Sequence, residues 1–168
     1  KDYKVTYQNN VKVNAAKAGE AFDETLPYIA IKGIGNYTET IKINFNILPA
    51  IIGDGSGNLL NGVSLNCNEQ LAVNSQKDIN PLKSVKLGRK LTKDVDYTVT
   101  LMAMDVADSE GNTVTGNIEK KVIPAGYSGT FNLIITGIGS YSGSISKTIV
   151  VKEKIYLMKD AKITVGKN

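Results

Sequence analysis

The sequence predicts an all-β fold, a β-sandwich, and three observations carry that prediction. Apolar and polar residues alternate over short runs, the period-two signature of half-buried strands, and no segment holds a 3.6-residue period over three turns. Clusters of Gly, Asn, Asp and Ser separate these runs at regular short spacing, as in all-β domains. The composition fits as well: 42% hydrophobic residues supply a core, and plentiful Thr, Val, Ile and Asn with 16 Gly suit strands and turns rather than helices. A length of 168 residues accommodates one medium domain or two small ones.

Taken in order, Tyr28–Lys32 looks like a strand. Gly33–Tyr37 (GIGNY) reads as a turn, because glycine tolerates positive φ, and Thr40–Ile47 alternates after it. Ile51–Asn58 (IIGDGSGN) reads as a linker and turn. Short strands are expected at Val63–Cys67 and Leu71–Val73, with a hairpin through Ser84–Leu91. Four more runs follow at Asp96–Met104, Thr113–Ile123, Thr130–Thr136 and Ser144–Lys152. The last two flank Gly137–Tyr141 (GIGSY).

The chain repeats itself. Asp2–Thr6 matches Asp96–Thr100 at an offset of 94, and GIGNY matches GIGSY at an offset of 104. The second copy therefore holds about ten extra residues, and Met104–Asn117 is their natural place, as a longer hairpin end. At the larger offset Ile29, Ile31, Ile41, Phe45 and Ile47 fall on Leu133, Ile135, Ile145, Ile149 and Val151. Ile43 falls on Lys147, so the copies diverge at one inward position.

Little catalytic chemistry is available. The absence of His removes the Ser-His-Asp and Cys-His nucleophilic sites and the commonest zinc ligand, so no enzyme activity is expected. Asp105, Asp108 and Glu110 form the closest acidic group, but in a turn-rich loop rather than a cleft. Asp54 with its glycine-rich loop, and Asp105, Asp108 and Glu110, offer oxygen ligands for calcium, yet neither loop completes an EF-hand, and both are ordinary turn compositions. Cys67 is alone, so no disulfide forms within the chain, and its place in the Val63–Leu65–Cys67 alternation is that of a small buried residue. Asn36-Tyr37-Thr38 is a formal glycosylation sequon. Net charge is +4 and the isoelectric point about 9.0, but the lysines are dispersed and Arg89 is the single Arg. That pattern is a solvated surface rather than a nucleic-acid stripe, with a wall or membrane polyanion as a weak partner. No apolar run approaches the ~18 residues of a membrane span.

Asp2-Tyr3-Lys4-Val5-Thr6-Tyr7, Ala18-Gly19 and Gly33–Tyr37 in the first copy recur as Asp96–Thr100, Ala125-Gly126 and Gly137–Tyr141 in the second. This pattern resembles the bacterial immunoglobulin-like repeats of Gram-positive, Clostridia-type surface proteins. Leu101 in place of the final Tyr and the long loop before Ala125 depart from it. The resemblance covers most of 1–50 and 96–152. It implies a non-enzymatic spacer, stalk or adhesive segment at the cell surface or cell wall. Its partners would be neighbouring modules of the same polypeptide and cell-wall or host glycans or proteins. It divides the chain into the later part of a first module (1–50), a complete second module (51–154) and the opening strand of a third (155–168, with Ala161–Val165), a piece of something longer. The incomplete first module is expected to leave an open sheet edge or an uncovered face bearing Ile29, Ile31, Ile41 and Phe45. The alternative function is a carbohydrate-binding sandwich whose exposed tyrosines, Tyr37, Tyr127 and Tyr141, stack on sugars.

Overall fold

A computed structural model describes residues 2–14, 20–60 and 62–153, and these form strands and turns without a helix. The expected opening strand near Ala161–Val165 and the Ala18-Gly19 pair lie outside the described residues.

Three strands form the N-terminal sheet: β1 (Tyr3–Gln8), β2 (Tyr28–Gly33) and β3 (Thr40–Asn44), antiparallel in the order β1-β2-β3. Tyr3 faces Gly33, Val5 faces Ile31 and Tyr7 faces Ile29, while Ile31 and Ile29 face Ile41 and Ile43. Cross-strand partners share a face, so one side of this sheet is apolar throughout. Phe45 extends that side and meets Tyr7 edge-on at 6.2 Å. The other side is polar except at Ala30 and at Tyr28, which is buried under Phe22 with Lys42 over both rings.

The rest of the chain forms two sheets. One contains β4 (Ala50–Asp54), β6 (Gln70–Ala72), β9 (Tyr97–Ala107), β10 (Thr113–Asn117), β11 (Ser128–Gly137) and β12 (Tyr141–Lys152). Its order is β10-β9-β11-β12-β4, and β6 also pairs with β12. The other is β5 (Val63–Cys67), β7 (Leu82–Leu87) and β8 (Arg89–Lys90). Side chains of both sheets meet in one core: Ile52, Val63 and Val85 pack with Leu101, Phe131, Leu133, Ile145 and Ile149. Two sheets facing across a shared core is the layered arrangement expected of these alternating strands.

The linker expected at Ile51–Asn58 is corrected by the structure. Its first half is β4, which runs parallel to β12, with Ile52 fully buried. Gly53 supplies close approach rather than slack, because a Cβ there would collide with the Ser144 carbonyl. Only Gly55–Asn58 is a turn, closed by the Asp54 carboxylate on the Ser56 and Asn58 amides. The run Thr113–Ile123 is also shorter than expected. β10 ends at Asn117, after a register shift against β9, and Ile123 enters the core through a separate bridge to Ile79.

Candidate functional site

The repeat is built to one register. Gly33 lies opposite Tyr3 as Gly137 lies opposite Tyr97, and Ile31 lies opposite Ile41 as Ile135 lies opposite Ile145. The two Gly-Ile-Gly turns close alike. The Ile34 amide donates to the Asp2 carbonyl at 2.9 Å, and the Ile138 amide to the Asp96 carbonyl at 3.0 Å. The Tyr37 and Tyr141 amides donate back to the Ile34 and Ile138 carbonyls. The two glycines of each turn have different duties. Gly35 and Gly139 hold φ of 72° and 63°, whereas a Cβ on Gly33 or Gly137 would press on backbone at 2.7 Å.

The copies differ in what covers them. Val99, Leu101 and Ile145 are 4%, 0% and 0% exposed; their counterparts Val5, Tyr7 and Ile41 are 37%, 59% and 58% exposed. In the second copy the cover is the β5-β7-β8 sheet, with Ile52 of β4 closing the core at the edge beside β12. The β7–β8 hairpin turns at Gly88 and brings Arg89 onto Asp96. The guanidinium donates twice to that carboxylate at 2.9 Å, and the Thr92 amide donates at 2.7 Å. Arg89 also lies over the Tyr141 ring at 5.8 Å. These donors, Arg89 foremost, hold the Asp96 carboxyl below the usual carboxylate range, against the raising effect of burial. The sequence shows Arg89 as the single Arg but not this role, since the contact needs the hairpin.

In the first copy the same corner is an open groove of about 640 Å³, lined by Asp2, Ile31, Asn36, Tyr37, Glu39 and Ile41 among others. Tyr37 is exposed there.

The three tyrosines singled out from sequence are not brought together as a set. Tyr141 packs against the core under Arg89, and Tyr127 packs against the core just before β11. The length of β11 separates these two, roughly 30 Å at 3.3 Å per residue. Tyr37 belongs to the other copy.

The acidic loops are closed by their own hydrogen bonds. The Asp108 carboxylate accepts from the Glu110 and Asn112 amides and the Asn112 side chain, and Asp54 is bound in the same pattern by Ser56 and Asn58. These donors lower both carboxyls. Asp105 lies within β9 rather than in the loop. Among the described residues no cluster of three or more Cys, Asp or Glu is arranged to hold a metal ion. Cys67 is half-buried against the core, and burial pushes its thiol up, as expected of a packing residue. No helix among the described residues is long and apolar enough to cross a membrane. Comparison with known proteins finds no family model, curated protein or solved structure that matches this chain.

Proposed function

We propose that the chain is a non-enzymatic, load-bearing spacer of tandem immunoglobulin-like modules from a bacterial surface protein, working outside the cell. One observation supports this reading above the others: the first and last strands of the second module are parallel neighbours, with Tyr141 beside Ala50 and Ser142 beside Ile51. Tension enters at the start of β4 and leaves at the end of β12, so it runs along the strands. Their mutual hydrogen bonds, including the Ala50 amide to the Ser140 carbonyl and the Gly55 amide to the Ser144 carbonyl, are loaded in shear. Bonds in shear must yield together, whereas a hairpin pulled at its open ends yields one bond at a time. β6 adds a second parallel attachment at Val150–Lys152.

Single-molecule pulling tests this reading. Force applied between residues 50 and 152 is expected to unfold the module at several times the force needed when the β11–β12 hairpin is pulled at residues 128 and 152. Equal forces in the two geometries would sink the load-bearing role.

The exposed Tyr37 ring beside Asn36 and Glu39 favours a second reading, glycan stacking at the groove. A glycan array with the native chain and Tyr37→Ala decides it. Binding that Tyr37→Ala abolishes supports the reading, and no binding retires it.

A further inference from the structure

The N-terminal sheet carries an apolar face that the described residues leave open, and the second copy shows what sits on the same frame. There, β4 pairs along Tyr141–Ser144, Ile52 fills the space beneath, and Arg89 joins Asp96 to Tyr141. The equivalent positions in the first copy are Tyr37–Thr40 at the free edge, Ile31 and Ile41 below, and Asp2 beside Tyr37. Asp2 is exposed and forms no ion pair among the described residues. We propose that this face is a docking surface for the opening half of another immunoglobulin-like module, a segment with the chemistry of residues 50–91: an apolar strand laid parallel on the edge of β3, with a guanidinium seated on Asp2 over Tyr37.

Charge and shape narrow the occupant. Asp2 and Glu39 both line the groove, so the incoming segment is basic where it meets the turn. Glu39 stands where the second copy has Gly143, and a Cβ on Gly143 would collide with the Gly53 carbonyl and crowd Ile51. The occupant therefore lacks so close an approach at that point and sets a cation against Glu39 instead. A second copy of the chain is the poorer fit. Its own residues 50–91 already cover its own core, and two apolar faces laid together would leave each Asp2 without its cation.

The test adds a second copy of residues 50–94 ahead of Lys1, in the full chain carrying Glu39→Gly. Amide exchange in β3 is expected to slow by about tenfold or more, and binding of the dye ANS, strong in the unextended chain, is expected to fall. Replacing the arginine of the added segment with alanine is expected to reverse most of that protection. Unchanged exchange and dye binding would overturn the docking surface. Protection that ignores the arginine replacement would overturn the role given to Asp2. Sedimentation of the unextended chain as a dimer with β3 already protected would place a second copy on the face and overturn the proposal.

Discussion

Asp96 shows how far a single residue can be read from sequence. Its recurrence before Tyr in both copies marks it, but its two kinds of donor come from Arg89, seven residues away, and Thr92, four residues away, through a hairpin that no local pattern specifies. The Asp-Tyr motif is therefore legible as a landmark and illegible as an anchor. Its linkage to pH has a definite sign. A carboxyl depressed in the folded state stabilises fully above its unfolded value near 3.8, and that contribution is lost as pH falls through the lower folded value. Asp96→Asn is thus expected to lower the melting temperature at neutral pH and to flatten its acid dependence. Thermal melts from about pH 7 to about pH 3 would check this, and parallel curves for the two proteins would contradict it. Arg89→Ala is expected to lower stability in the same direction, since it leaves the nearly buried carboxylate with the Thr92 amide alone.

At the scale of the element, period-two alternation located the strands because half-buried strands must alternate. β5 coincides with its expected bounds, β11 and β12 extend theirs by a few residues, and β9 starts one residue later than expected and runs on to Ala107. β4 escaped detection for a physical reason. It borrows its hydrogen bonds from β12, ninety residues on, and its glycines resemble a linker while serving as contact points. Gly53→Ala separates the two readings. A flexible linker would gain from alanine, but here the methyl meets the Ser144 carbonyl, and a loss of roughly 1–3 kcal/mol is expected, as for overpacking. Chemical denaturation of the two proteins measures it. The inward lysine anticipated at Lys147 is present, and it lies on the stretch of β12 between its pairings with β4 and β6. From there it extends to Glu69, 3.8 Å away.

Among the described residues, the hydrophobic core draws only on residues from Ile52 to Val151, and β1–β3 pair only with one another. Leu133→Ala, a cavity in that core, is expected to destabilise the part of the chain built around it by about 2–5 kcal/mol. Amide exchange in β2 is expected not to change, and hydrogen exchange with residue resolution checks both halves of the statement. A short span governs the order in which these parts can meet. During synthesis, residues 50–91 emerge after β1–β3 and before β9–β12, beside an open face built on the same frame. Laying β4 parallel on β3 in the register seen on β12 would bring Ala50 back to the level of Tyr37, up to about 23 Å from Asn44 with residues 37–39 drawn out like their counterparts in β12. The six residues from Asn44 to Ala50 reach at most about 20–22 Å when fully extended. The leash leaves no slack for that register on the sheet just finished, and Glu39 opposes it as well, so β9–β12 are the favoured partner. In a chain that also carries Glu39→Gly, six glycine and serine residues inserted after Ile47 would remove both barriers, and refolding of the lengthened chain is expected to gain a slow phase as residues 50–91 leave the wrong partner.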